Sequence, residues 1–147
     1  MSGSQSDASD PFDLQRFIDA QAGGTYEGAL AELGAGRKRG HWIWFVLPQL
    51  RGLGLSPTSQ RYGVTGLDEA RAHAAHPVLG ARLRECFAAL LALDEPDPVR
   101  VLGSVDAAKL RSCATLFEAA APEEPAFAAV LDRWFDGERD RTTLDRL

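Results

Sequence analysis

Apolar positions recur at helical spacing through most of the chain. Tyr26, Ala29, Leu30 and Leu33 fall at i, i+3, i+4 and i+7, one face of a helix that Thr25 caps and Gly34 stops. Upstream, Asp10-Pro11 reads as an N-cap followed by a first-turn proline. Phe12, Phe17 and Ile18 give that first helix its apolar side, and Gly23-Gly24 ends it. Residues 68–75 read as a helix. Pro77 restarts a longer one to about Leu93, with Val78, Leu79, Leu83, Phe87, Leu90 and Leu91 in a helical pattern. Asp97-Pro98 is another cap-plus-proline start, stopped at Gly103. Ser104 caps a helix over residues 105–120. Pro125 opens a last long helix that turns Phe127, Val130, Leu131 and Trp134 to one side and ends at Gly137. One stretch breaks the pattern. Residues 41–49, His-Trp-Ile-Trp-Phe-Val-Leu-Pro-Gln, favour a strand by propensity, but their apolar positions do not alternate. The segment is therefore buried on more than one side in either conformation, and Pro48 ends it. Ser56-Pro57 starts a short helix beyond a turn. The prediction is a mainly α, compact single domain over residues 11–147. It has six to eight helices and at most one short strand pair, behind a disordered polar tail at residues 1–10.

Composition narrows the class. The chain has 147 residues, 45% hydrophobic and 25% charged, as in a folded soluble domain. Its net charge of −5 argues against a general nucleic-acid binder. No apolar run approaches the roughly 20 residues that span a bilayer, and the polar, acidic start does not read as a secretory signal. Two cysteines, Cys86 and Cys113, make neither a disulfide framework nor a zinc spacing and fit a reducing cytoplasm. The charge is unevenly placed. Residues 1–36 carry one base against six acids, residues 37–84 eight against two, and residues 85–147 seven against thirteen. A cationic middle can focus field on a cleft and attract an anion. The plainer alternative is that most of these arginines are solvated or paired with the acidic flanks.

The aromatic block is the strongest candidate for chemistry. Trp42 and Trp44 offer stacking faces, His41 a titratable imidazole, Lys38 a cation and Gln49 an amide. That set suits a nucleotide-like ligand, and the competing reading puts both tryptophans in the core. A second set lies on the helix over residues 105–120. Asp106 and Lys109 are three apart and can pair, and Ser112 and Thr115 continue the interval. The set either lines a pocket or forms a solvated face with a surface ion pair. Gly34 to Gly40 lacks the serine or threonine after lysine that a phosphate loop needs. Glu69, His73 and His76 have a spacing that metal ligands use, but Pro77 breaks the helix there. Their plain reading is an exposed His73 and a boundary His76, so no metal is expected.

Together these blocks resemble a bacterial family, domain-of-unknown-function family 1810, some members of which carry a calpastatin-like label. The resemblance runs from about Phe12 to Leu147. It rests on Glu32-Leu33, Gly36 with Lys38, His41-Trp42-Ile43-Trp44-Phe45, Pro48-Gln49-Leu50, Gly52-Leu53-Gly54, Tyr62-Gly63 and His76-Pro77-Val78-Leu79-Gly80. It continues through Asp106, Lys109-Leu110, Ser112, Thr115-Leu116-Phe117, Asp140 and Thr143-Leu144. It implies a mainly helical fold and no assigned activity. Gly40 replaces a common serine, and Cys113-Ala114 a common Ser-Met. The calpastatin-like label finds no counterpart in this composition, which is not that of a disordered inhibitor. The run His76-Pro77…Leu79…Leu83, and Asp106 beyond it, also looks like part of the NADAR family, which acts on ADP-ribose-type N-glycosides. Only that segment matches, and it hints at ligand class alone.

Two functions follow. In the first, the protein binds, with or without hydrolysis, a small phosphorylated nucleotide-like ligand such as an ADP-ribose or NAD derivative. Trp42 or Trp44 stacks on a base, and Lys38 neutralises phosphate. Asp106 or His41 acts as general acid or base, and Lys109 tunes or orients Asp106. Gln49, Ser112 and Thr115 complete the contacts, and no cofactor is implied. In the second, the chain is a non-enzymatic protein-interaction module. Binding of a short nucleic-acid strand ranks behind both, given the charge.

Overall fold

The computed structural model describes residues 10–94 and 97–147, so residues 1–9 of the expected tail lie outside the described residues. Ten helices form among the described residues: α1 (Gln15–Gln21), α2 (Thr25–Ala35), α3 (Ile43–Val46), α4 (Pro57–Tyr62), α5 (Leu67–Ala75), α6 (Leu79–Leu91), α7 (Pro98–Leu102), α8 (Ser104–Ala120), α9 (Pro125–Trp134) and α10 (Arg141–Asp145). The fold is mainly α, as expected. Its one extended pairing among the described residues is an isolated parallel bridge, Leu50 to Val64.

Capping chemistry sets most starts. The Ser56 hydroxyl accepts from Ser59 N–H at 3.1 Å and the Asp97 carboxylate from Val99 N–H at 3.1 Å, each ahead of a first-turn proline. Asp10 also caps, but earlier than expected. Its carboxylate accepts from Leu14 and Gln15 N–H, while Asp13 sits at φ 52°, so α1 begins only at Gln15. The second helix runs past Gly34 to Ala35. The stop is Gly36 at φ 74°, a left-handed position that glycine takes without strain. The aromatic block forms the single turn α3 and not a strand, because Ile43, Val46 and Leu47 must all turn inward, which an alternating strand does not allow.

The long α8 is the centre of the molecule. It packs against α5, α7, α9 and α10, while α6 packs against α2, α5 and α9. Burial on several sides explains why Leu110, Cys113, Ala114, Leu116 and Phe117 occupy more than one face of it. A file of rings joins the layers. Phe17 meets His73 at 4.9 Å, His73 meets Phe117 at 5.4 Å, Phe117 meets Phe127 at 5.8 Å, and Phe127 meets Phe87 at 4.9 Å. His73, expected on the surface, is therefore core: α5 lies on both α6 and α8 and turns that face inward. His76 is the boundary residue expected, capping α5 and accepting at Nδ1 from Val78 and Leu79 N–H.

A buried ion pair pins the first helix to α5. Arg16 meets Glu69 at 2.7 Å and donates to the carbonyls of Phe12, Asp13, Arg61 and Gly63, while Glu69 also accepts from the Thr65 amide and hydroxyl. With every group of the pair engaged, the desolvation cost is largely offset. The same clamp holds residues 61–65, and through them the Val64 bridge. There Arg51 N–H donates to Val64 O at 2.7 Å and Val64 N–H to Gln49 O at 2.9 Å. Gly63 permits the approach, because a Cβ there would lie 2.6 Å from Arg51 Cα. No helix among the described residues is long and apolar enough to cross a membrane.

Candidate functional site

The two sequence clusters meet at one place. Lys38, on the loop after α2, reaches Asp106 Oδ2 at 2.7 Å, and Lys109 reaches Asp106 Oδ1 at 3.0 Å. One carboxylate thus bridges two ammonium groups. Each ammonium also faces an indole: Lys38 Nζ lies 5.1 Å from the Trp42 ring centroid and Lys109 Nζ 3.8 Å from that of Trp44. Desolvation works against the charge on Asp106, but hydrogen bonds from Lys38 and Lys109 and their positive charge outweigh it and hold its pKa below the usual carboxylate value.

The lysine loop is built by Glu32. Its Oε1 accepts from Arg39 N–H at 2.7 Å, Gly40 N–H at 3.0 Å and the Trp42 indole N–H at 2.9 Å. Burial opposes the Glu32 carboxylate too. The two backbone donors, the indole and Lys38 overcome it, and its pKa also falls below the usual value. Lys38 ties the loop down further, with its N–H donating to Val101 O at 2.8 Å and its ammonium donating to Gly40 O.

Beside this cluster lies a cavity of about 290 Å³ lined by Trp44, Gln49, Leu53, Gly54, Ala108, Lys109, Ser112, Asp140 and Thr142. The volume lies just under the usual range of small-molecule sites, about 300–1,000 Å³. Larger hollows exist, one of about 520 Å³ beside Gly36 and Leu93, but that one offers no aromatic face.

The structure sorts the predicted site residues. Trp44, Gln49, Lys109 and Ser112 come together on the cavity wall. Trp42 is 3% exposed with its indole N–H committed to Glu32, so it has no free face for a base and supports the loop instead. Lys38 lies behind Asp106 and not on the wall, which makes it the partner that orients Asp106 rather than a phosphate contact. Thr115 is fully buried. Its hydroxyl donates to Arg111 O at 2.8 Å and accepts from Asp140 N–H at 2.9 Å, so it positions the start of α10. Ser112 and Thr115 are buried and do not form the solvated face considered above. His41 is exposed and does not line the cavity. Both Asp106 oxygens are engaged by ammonium groups, so the residue is a fixed anion that holds Lys109 over Trp44. Sequence reasoning assigned no role to Glu32, Asp140 or Thr142. The spacing of Asp140 from Thr143, whose N–H and hydroxyl its carboxylate accepts at 3.0 and 2.6 Å, is the one local signal that points to a capped turn there.

The cationic middle does not converge on the cavity. Arg16 lies outside it and pairs with Glu69, Arg71 meets Asp68, Arg84 meets Glu124, and Arg82 packs on Tyr26. The cavity's lysine comes instead from the acidic last segment.

A family model described as "Protein of unknown function (DUF1810)" matches residues 11–147. Among solved structures, the chain is similar to the conserved hypothetical protein Rv1873 from Mycobacterium tuberculosis. The identity is 46%, the coverage 94% of this chain and 98% of that one, and the TM-score 0.91. No curated protein matches the chain.

Proposed function

The chain belongs to the family described as "Protein of unknown function (DUF1810)", whose description carries no activity, and from the site itself we propose that it binds a small phosphorylated, nucleotide-like ligand in the Trp44 cavity. The observation that carries this reading is the Lys109 ammonium, 3.8 Å over the Trp44 ring on the cavity wall and held by a carboxylate that Lys38 already shares. Lys109 sets a positive charge beside a flat apolar surface, while Glu32 faces Lys38 and the Asp140 carboxylate stands on the same wall. An anion attached to a ring satisfies both the Lys109 charge and the flat surface. The volume suits one nucleotide unit, so of an ADP-ribose or NAD derivative one half is enclosed and the rest lies outside. Binding is favoured over hydrolysis. Asp106 is held as a carboxylate and has no proton to donate near neutral pH, and His41 is away from the wall.

The test is a thermal-shift and calorimetric screen against AMP, ADP-ribose, NAD and ribose 5-phosphate. A ligand at about 100 times its Kd adds roughly 2.7 kcal/mol, a rise of roughly 5–10 °C for a domain of this size. The expected result is a shift that Lys109→Ala abolishes and His41→Ala keeps, each variant read against its own unliganded midpoint. A flat screen on folded protein sinks the proposal and favours the interaction-module reading.

A further inference from the structure

Among the described residues two glutamines are buried, and they differ in one respect. Gln21 on α1 is satisfied: its Nε2 donates to Phe45 O at 2.7 Å and its Oε1 accepts from Arg82 at 3.1 Å. Gln49 is 9% exposed, yet its side-chain amide has no hydrogen-bond partner among the described residues. The sealed side-chain atoms without partners among those residues are His73 Nδ1 and Trp134 Nε1. The Gln49 amide is not one of them, so it keeps access to solvent, and the opening that Gln49 lines is the Trp44 cavity.

No group among the described residues answers the Gln49 amide, so its donor and acceptor are open to whatever enters the cavity. The backbone gives Gln49 no easy way out. Pro48 precedes it, Leu50 behind it is core, and its own carbonyl is fixed by Val64 N–H at 2.9 Å. The backbone at Gln49 is thus held, and its amide opens on a cavity whose wall also carries the Trp44 indole, Leu53 and Ala108. A phosphate only accepts hydrogen bonds and answers half of an amide. A flat heterocycle with a donor and an acceptor side by side answers both halves.

We infer that Gln49 is the specificity residue of this site, reading the donor–acceptor edge of an adenine ring while Lys109 takes the ligand's phosphate. Adenine is the base that a glutamine amide matches with two parallel hydrogen bonds. The inference rests on the ligand-binding reading above and fixes its substrate class as adenine mononucleotide units. A sugar phosphate alone would engage Lys109 and leave the amide unpaired.

The experiment compares AMP, purine riboside 5′-monophosphate and ribose 5-phosphate by calorimetry on the full chain and on Gln49→Met, an apolar replacement of similar shape. Purine riboside monophosphate keeps the phosphate, sugar and ring of AMP and lacks only the exocyclic amine. The expected wild-type preference for AMP over it is about tenfold or more, from the loss of one buried hydrogen bond. In Gln49→Met that preference falls to about one, while ribose 5-phosphate binds as in wild type. The ratio of the two purines is taken within each protein, so a change in stability does not move it. Equal wild-type affinity for the two purine nucleotides overturns the inference and leaves the ligand-binding reading standing. So does a preference that survives in Gln49→Met. Absence of binding by all three, with the protein folded, overturns both.

Discussion

His73 sits between the rings of Phe17 and Phe117, 1% exposed, with Nδ1 unpartnered. Burial, with the charges of His76 and Arg16, pushes its pKa down to about 3. A free histidine titrates near 6.5. Between those two values the unfolded chain carries a proton at this position that the folded chain does not. Stability therefore rises with pH across the window: the contribution is complete above about 6.5 and is lost as pH falls toward 3. The slope approaches about 1.4 kcal/mol per pH unit. Glu32 and Asp106 are also held below their ordinary values and add loss of the same sign, but only as their carboxylates protonate at lower pH. The interval from pH 6.5 to 5 thus isolates the histidine. Urea melts at the two ends should show wild type losing about 1–2 kcal/mol, and His73→Leu should remove that dependence whatever it does to absolute stability. A slope unchanged in His73→Leu would place the proton elsewhere.

Helix ends rather than helix faces carry the design at the next scale. Gly80, in the first turn of α6, shows this. A Cβ there would lie 2.1 Å from the Ala74 carbonyl oxygen near the end of α5, a backbone atom that cannot swing aside. Gly80→Ala should therefore separate α5 from α6 and cost about 1–3 kcal/mol as an overpacked contact. That is a fall of roughly 2–10 °C in melting temperature, and a melting curve equal to wild type would show that the junction yields freely. Such punctuation is also why most helices were legible: Asp97-Pro98, Ser56-Pro57 and Pro125 announce their starts locally. The one-turn α3 was not, because β-branched and aromatic propensity points to a strand and only tertiary burial of Ile43, Val46 and Leu47 decides otherwise. Gly36, not Gly34, stops α2, because either glycine suits the left-handed position and packing chooses. At the site, Trp44, Gln49, Lys109 and Ser112 were legible as chemistry. Lys38 and Asp106 come from distant segments, so their pairing is visible only in the fold. Trp42 and Thr115 changed role for the same reason, since spacing along a helix does not reveal which polar atoms another segment will claim.

At the scale of the whole molecule, α2, α5, α7, α9 and α10 close on two helices, α6 and α8, and each of those two carries one buried cysteine. Burial pushes the Cys86 thiol up to about 12, and burial beside Cys86 raises Cys113 well above its usual value. Neither sulfur is a thiolate at neutral pH, and neither touches solvent, so neither reacts with a disulfide reagent in the folded state. Cys113 is buried on α8, against which α5, α7, α9 and α10 pack, and Cys86 is buried on α6, against which α2, α5 and α9 pack. Because α5 and α9 are shared, no small opening frees one thiol alone, and the two should become reactive together in the global unfolding event. Labelling with an aromatic disulfide at pH 8 should then be at least about 10³-fold slower than in urea-unfolded chain, given the usual stability of such domains. Both thiols should label at one rate, and that rate should rise with urea at the slope of the unfolding transition. A single fast thiol in native buffer would contradict this, showing that α6 or α8 opens as a separate unit. A ligand in the Trp44 cavity touches α8 through Ala108, Lys109 and Ser112, so a nucleotide that binds there should slow both thiols by the same factor.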